Sequence, residues 1–474
     1  METKARSGKQ LTCRWLQVAA ICLLSTGGQR AHADGEVDAS FGNNGFIVLN
    51  SLFDHSPPLL SQAHAVALDA QGRIMLAGAA QELDKYGNVA TANFLLLRLN
   101  TMGVLDDTFA PDAGGYRLAN FDLTGIGAPG FDAATSIVIE PSGNIVAGGG
   151  AYFDQGDKHF AFIRVDDMGQ MDPAFGNGGM LHFGASSPIN DLSDFAVDPS
   201  GNLILGGSIY YGAKQYAAVA KLTPAGQIDP NFNNGYVSIF SYGVPPAPAQ
   251  YDFLTALGLD SSGGIVTVGG FDTADIQGAA AQRLTPAGKL DPAFGSGAPV
   301  AIASDPNAYP FASAIHVLPS GGFVAAGFSY GTPGSYLYFA KFLADGTPDA
   351  SFGANGIAKL LFNTQSQPVF LAPTKRGGWL MAGPNSQQGV FLAKVLGNGD
   401  PDTTLNGTGF IALDFPPDAY SAFGLFYMGK PALTQDGRLV VAGSLPEAEA
   451  NGSGDIGVIR ILADYDTVFV SGFE

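Results

Sequence analysis

Short apolar runs alternate with polar turns along almost the whole chain. Residues 65–68 and 74–77 flank one tight turn, residues 94–99 form a third apolar run ending near a cation, and residues 116–121 form a fourth. These runs are rich in Val, Ile, Leu and Phe, are bounded by Gly, Pro, Asn and Asp, and lack a 3.6-residue period. Each therefore predicts a β-strand. Fourth runs recur at 180–183, 236–240, 299–302, 357–362 and 410–413. Four short strands per repeat predict an all-β fold built from four-stranded antiparallel blades.

Two anchors set the repeat. The first is a turn: Asp69-Ala-Gln-Gly72, Glu140-Pro-Ser-Gly143, Asp198-Pro-Ser-Gly201, Asp260-Ser-Ser-Gly263, Leu318-Pro-Ser-Gly321, Thr374-Lys-Arg-Gly377 and Thr434-Gln-Asp-Gly437. Asp in first place, Pro in second and Gly in fourth are type I turn chemistry, with Pro presetting φ. Successive turn glycines stand 71, 58, 62, 58, 56 and 60 residues apart, which marks seven repeats, the first carrying an insertion. Six residues beyond each stands a second glycine (Gly78, Gly149, Gly207, Gly269, Gly327, Gly383 and Gly443). Crowding between repeats is the expected reason.

The second anchor is a cation followed by an acid and an aromatic or Leu. It reads Arg98/Asp106/Phe109, Arg164/Asp172/Phe175, Lys221/Asp229/Phe232, Arg283/Asp291/Phe294, Lys341/Asp349/Phe352 and Lys394/Asp402/Leu405. A shortened copy, Arg460/Asp466/Phe469, closes the chain, and the half-motif Asp38/Phe41 opens it. A ring of cations could bind an anion. An ion pair with the following Asp, or with the acidic turn residue, is the simpler use of a charge at the end of a packed strand. The last repeat stops after its third strand, and residues 46–50 are a spare fourth one. Together they predict a seven-bladed β-propeller over residues 34–474, its ring closed by the N-terminal strand so that no sheet edge is left exposed.

The runs from Asp198 to Gly207, Ala220 to Phe232, Ala281 to Gly295 and Ala340 to Gly353 resemble the delta-60 repeat family of exported bacterial proteins. That repeat is similar to Asp-Gly-Lys, an apolar strand into Ala-Gly, a strand closing on Ala-Arg-Leu, then Asp-Gly-x-Leu-Asp-x-x-Phe-Gly. The fit covers nearly all of residues 34–474 and thins in repeat six, where Leu405 replaces Phe and Thr374-Lys-Arg-Gly377 replaces the usual turn. The resemblance implies a propeller-like fold and brings no established activity or catalytic residues.

Composition changes this picture at the N-terminus. Lys4, Arg6, Lys9 and Arg14 precede an apolar stretch over 15–24, and Ala31-His32-Ala33 is a small-x-small site, so residues 1–33 read as a signal peptide cut before Asp34. The apolar stretch is shorter than the ~20 residues a membrane span needs. Both cysteines, Cys13 and Cys22, fall in that segment. Without it, 18 basic and 41 acidic residues remain, a net charge of −23, which disfavours nucleic acid and anionic membranes. The expected location is periplasmic, cell-surface or extracellular.

Candidate chemistry is sparse. His55, His64, His159, His182 and His316 show no ligand spacing, so no metal is expected. No cofactor is expected either; residues 154–157 offer oxygen donors suited to calcium, but such clusters are ordinary loop chemistry. The more informative signal is loop length. The 1–2 and 3–4 turns have constant length, whereas the 2–3 and 4–1 loops vary and share the opposite face, the usual place for binding. Those loops carry Tyr86, Phe131, Tyr152, Phe153, Tyr210, Tyr211, Tyr242, Tyr251, Tyr309 and Tyr420 among many acids.

Asp132, Asp191 and Asp252 stand ten or eleven residues before their turn glycines, at the entry of three consecutive first strands. The reading is a secreted binding module whose face includes Asp132, Tyr152, Asp191, Tyr211 and Tyr251. Its expected partner is a saccharide, a cell-envelope component or a basic peptide. The alternative is a glycan-active hydrolase or lyase using Asp132, Asp191 and Asp252, provided the three carboxylates converge.

Overall fold

The computed structural model describes residues 34–49, 59–83, 89–121, 132–152, 158–183, 191–243, 251–273, 276–304, 308–331, 334–361, 366–385, 389–413, 428–445 and 455–464. The expected signal segment, the C-terminal motif at 466–469 and Tyr86, Phe131, Phe153 and Tyr420 lie outside this set.

The protein is all-β. Repeat one forms a four-stranded sheet from Leu59–Leu68, Ile74–Leu83, Val89–Leu99 and Tyr116–Ala119, and repeat two another from Ala133–Ile139, Ile145–Tyr152, Lys158–Val165 and Met180–Phe183. Repeat five uses Ala308–Val317, Phe323–Gly331, Tyr336–Phe342 and Ile357–Leu361, and repeat six Phe370–Pro373, Trp379–Pro384, Val390–Val395 and Phe410–Leu413. Repeat three (Asp191–Val197, Leu203–Tyr211, Lys214–Leu222, Ser238–Phe240) and repeat four (Tyr251–Leu259, Ile265–Asp272, Gln277–Leu284, Val300–Ser304) are joined into one larger sheet. A single parallel pair, Gln215 with Tyr251, makes that join. Within each repeat neighbouring strands are antiparallel and follow chain order.

In repeat seven Ala432–Leu433, Arg438–Leu445 and Asp455–Leu462 come from one end of the chain, and Phe46–Leu49 from the other. Phe46 pairs with Ile459 and Leu49 with Ile456, in the place a fourth strand takes elsewhere.

Sheets stack face to face, so the inner strands are buried on both sides and read as continuous apolar runs. Leu95, Leu97 and Leu99 of repeat one pack with Val440 and Val458 of repeat seven, while Phe94 and Leu96 pack with Ile145 and Ile163 of repeat two. Similar buried clusters link repeats two and three, three and four, four and five, five and six, and six and seven. Each Leu or Phe buried in this way contributes about 1.5–3 kcal/mol. Neighbouring sheets also meet through their first strands, from repeats one and two through to five and six, and between seven and one.

The second glycine series has a different cause from crowding between repeats. A bulge interrupts five of the first strands: Ala63 faces Gly78 and Ala65 faces Ala77, with His64 inserted between. The bulge presses a carbonyl of the same sheet against the glycine. A Cβ on Gly78, Gly149, Gly269 or Gly327 would stand 1.8–2.1 Å from the oxygen of Gln62, Ala133, Phe253 or Phe311 respectively.

The repeated cations are structural ion pairs. Arg98, Arg164 and Arg283 lie 2.7 Å from Asp106, Asp172 and Asp291, and Lys341 lies 2.9 Å from Asp349. Lys221 uses its turn residue Asp198 instead, at 3.0 Å. The guanidiniums stack on the motif aromatic, with Arg98 5.1 Å from the Phe109 ring centre and Arg164 4.8 Å from that of Phe175. Arg98 and Arg283 also donate to a carbonyl in the next repeat, Asp167 and Ala344.

Arg460 completes its motif with the far end of the chain. It lies 2.8 Å from Asp38, 4.4 Å from the centre of the Phe41 ring, and donates to Thr101 O of repeat one at 2.7 Å.

Candidate functional site

Register decides which of the expected site residues share a place. Asp132 and Asp252 are equivalent, each two residues before the one that faces the bulge glycine. Asp191 directly precedes Leu192, which faces Gly207, so it stands one position further along. Because strand side chains alternate, one position is a change of face. The three carboxylates are therefore not a repeated set.

Nor do two of them reach solvent. Asp132 is buried, and its Oδ2 accepts the amide of Phe121 at 2.8 Å. Asp252 is 0% exposed, and its Oδ1 accepts the amide of Tyr242 at 2.7 Å. Each pins the end of a fourth strand to the start of the next first strand, closing the crossover between them. Burial pushes Asp252 up to about 6, against the hydrogen-bonding pull of Ser241, Tyr242 and Gly243. Its Oδ2 has no hydrogen-bond partner. Tyr242, expected on the binding face, is instead fully buried beside Phe240, with ring centres 5.5 Å apart. The side chains of Tyr152 and Asp191 lie outside the described set.

What the variable end does present is aromatic. Tyr251 is 42% exposed, Phe253 38% and Tyr309 53%. Tyr251 and Tyr309 hold the same register in repeats four and five, as do Phe253 and Phe311. Residues two apart on a strand share a face, so each first strand carries a Tyr-x-Phe pair, and the two first strands are neighbours. Gly270, the cross-strand partner of Phe253, leaves room for the Phe311 ring, which would stand 3.2 Å from a Cβ there. Phe311 is held from behind by stacking on Phe328 at 5.4 Å. Tyr211, 57% exposed, lies near the same strip: Gln215 on its hairpin pairs with Tyr251, and its ring is 6.2 Å from Tyr216.

Deeper along the first strands the bulge residues form a polar belt. Thr255 Oγ1 donates to Ala312 O at 2.6 Å, Ser313 Oγ to Pro368 O at 2.6 Å, and His64 Nδ1 to Ala134 O at 3.0 Å. Burial holds His64 below the usual imidazole range despite its bond to Ala134, so it is neutral near pH 7. Thr135 and Ser193 occupy the same position and are exposed. Lys430 of repeat seven pairs with Asp194 of repeat three, a non-adjacent repeat, so the ion pair crosses the space between the first strands. The other Asp194 oxygen accepts the amide of Leu257 at 3.1 Å.

The sequence carried a signal for the belt. His64, Thr135, Ser193, Thr255 and Ser313 each stand eight residues before a turn glycine. No such signal marks Lys430 and Asp194, whose meeting depends on curvature.

Among the described residues no group of three or more His, Cys, Asp or Glu is assembled to hold a metal ion, and no helix is long and apolar enough to cross a membrane. Hollows of 430 and 590 Å³ open between the constant turns; Asp69, Gln71 and Arg73 line the first, and Thr434, Asp436 and Arg438 line the second. Their charged walls are paired within the scaffold, Arg73 with Asp69 and Arg438 with Asp436 and Asp38.

Residues 199–232 match a family described as a domain of unknown function (DUF5122) beta-propeller. The chain is similar to the solved structure of polysaccharide lyase Uly1 at 11% identity and a TM-score of 0.47, covering 92% of this chain and 94% of that one. It is similar to a PL25 ulvan lyase in complex with saccharide at 10% identity and a TM-score of 0.46, covering 91% and 95%. Sqt1 of Chaetomium thermophilum, bound to the N-terminus of a ribosomal protein, follows at 11% identity and a TM-score of 0.38, covering 85% and 98%. No curated protein matches the sequence.

Proposed function

We propose that the chain is an exported seven-bladed propeller of the delta-60 kind, closed by Phe46–Leu49, and that it acts as a non-catalytic saccharide-binding module. Closure is supported by the fourth-strand position of Phe46–Leu49, by the Arg460–Asp38–Phe41 motif drawn from both chain ends, and by the contact of Arg460 with Thr101. In such a ring the first strands line the axis, and their entry opens on the face of the variable loops.

One observation carries the binding reading: the Tyr-x-Phe pair repeated on two adjacent first strands, with Tyr251, Phe253 and Tyr309 exposed and Phe311 half-buried. Sugar rings stack on such faces, and Tyr and Phe give large contact area with few rotors to freeze. The hydroxyls of Thr135 and Ser193 stand further in, where they can bond to a glycan. The strongly acidic composition favours a neutral saccharide, such as one from a cell envelope, over a polyanion. Against a hydrolase or lyase, Asp132 and Asp252 are committed to loop amides and Asp191 is out of register with them.

The test is a binding screen of the protein against neutral glycans, acidic glycans and basic peptides. Tyr251→Ala, Phe253→Ala and Tyr309→Ala should each weaken a neutral glycan by roughly tenfold, about 1.4 kcal/mol, with little change in Tm. Gln71→Ala, Ser142→Ala and Ser200→Ala on the constant face should have no effect. Binding of basic peptides alone, or footprints on the constant turns, would overturn the reading.

A further inference from the structure

Two segments from opposite ends of the chain meet inside one turn. In repeat one the turn between third and fourth strands is continuous: Asn100 N donates to Val104 O, and Gly103, at φ 86°, donates to Asn100 O at 2.9 Å. In repeat seven Gly35 takes the place of Gly103, with φ 92° and its N–H donated to Leu462 O at 2.6 Å. Leu462 N donates to Glu36 O at 2.8 Å, as Asn100 does to Val104. Ala463 then matches Thr101, and the place of Met102 is shared by two residues. Asp464 reaches it from one side and Asp34 from the other.

Both carboxylates turn onto one cation. Lys394, whose side chain is 1% exposed, lies 2.7 Å from Asp34, 2.9 Å from Asp464 and 3.7 Å from Asp402. Asp464 also accepts the amide of Lys375 at 2.6 Å. Burial alone would lower the Lys394 pKa, but the hydrogen bonds and charges of Asp34 and Asp464 outweigh it and hold the ammonium protonated. Arg376 adds a second positive charge near Asp402. Three carboxylates thus face two cations.

We propose that the peptide bond before Asp34 is a processing site and that its cleavage completes this cluster with a third cation, the new α-ammonium. The inference rests on the export reading above. Hydrolysis by a signal peptidase adds one water across the amide: the preceding Ala33 gains a carboxylate, and Asp34 gains an amine that takes up a proton. The surrounding carboxylates favour that charged form. The freed end is then latched through Lys394 to Asp464, which fastens the N-terminal strand at the turn where it enters repeat seven. An uncut chain carries an uncharged amide there, and a cut further downstream removes Asp34 itself.

Intact mass of the exported protein tests the site, and three prepared forms test the latch: a chain starting at Asp34, the same chain N-acetylated, and one extended by Ala33. A mass beginning at Asp34 is expected. Acetylation or extension should speed hydrogen exchange at Gly35 and Asp38 about tenfold, leaving Gly72, in the turn between the first and second strands of repeat one, unchanged. Asp34→Asn in the unacetylated chain should do the same through the carboxylate. Retention of Met1 would sink the export reading, and a start at another residue would sink the processing site. A start at Asp34 with identical exchange in all forms would sink the latch while leaving export standing.

Discussion

Replacing Asp252 by Asn should make stability depend on pH in a way that reveals this carboxyl. The group is 0% exposed, one oxygen takes the amide of Tyr242 at 2.7 Å, and the other has no hydrogen-bond partner. Burial raises its pKa from 3.8 to about 6. Between those values the folded protein holds a proton that the unfolded chain has lost, so this group's contribution to stability falls as pH rises. Above the window the cost is two pKa steps of 1.36 kcal/mol, ~3 kcal/mol.

Asn keeps the carbonyl oxygen for Tyr242 and carries no charge; its amide adds a penalty that does not vary with pH. Urea denaturation of both proteins at pH 4.5 and 8 isolates the effect. Buried His64 and His316 titrate below their usual range and pull the opposite way, losing stability as pH falls, but they cancel in the difference. Relative to the parent, Asp252→Asn should gain ~2 kcal/mol between the two pH values, because about a third of the cost is already present at pH 4.5. A difference that stays constant with pH would refute the buried, half-satisfied carboxyl.

Two further predictions concern the scaffold. Asp38→Ala should cost about 3–5 kcal/mol in urea denaturation, because it strips the shared carboxylate from Arg460 and Arg438, both largely buried. A loss under 1 kcal/mol would mean that the two chain ends are held by something else. Gly269→Ala should cost ~3 kcal/mol through overpacking, since its Cβ would meet Phe253 O at 1.9 Å, whereas Gly143→Ala, with nothing within 4 Å, should cost only about 1 kcal/mol for its positive φ. Equal losses at the two glycines, read as shifts in Tm, would remove the bulge as the reason for the second glycine series.

The strands, the turns and the cation–acid–aromatic motif were legible in the sequence because each depends on residues close along the chain. Gly72 closes its turn onto Asp69 three residues away, and Arg98 finds Asp106 eight residues on. Repetition then made every such local feature visible several times over. Loop length placed Tyr211 and Tyr251 at the variable end, where both are exposed, but it could not tell an exposed side chain from a buried one. Asp132, Asp252 and Tyr242 look like loop residues in sequence and are buried pins in the fold, because closing each crossover leaves backbone amides that a nearby carboxylate must satisfy.

Other features required tertiary structure. The bulge that pushes Gln62 against Gly78 adds a residue to one strand only, which shifts the register without changing the spacing of the motifs. The seating of the Phe311 ring against Gly270, the Lys430–Asp194 pair and the Asp34–Lys394–Asp464 cluster each unite residues from different repeats. Their distances follow from the angle between sheets and from where the chain is interrupted, and a one-dimensional pattern carries neither quantity.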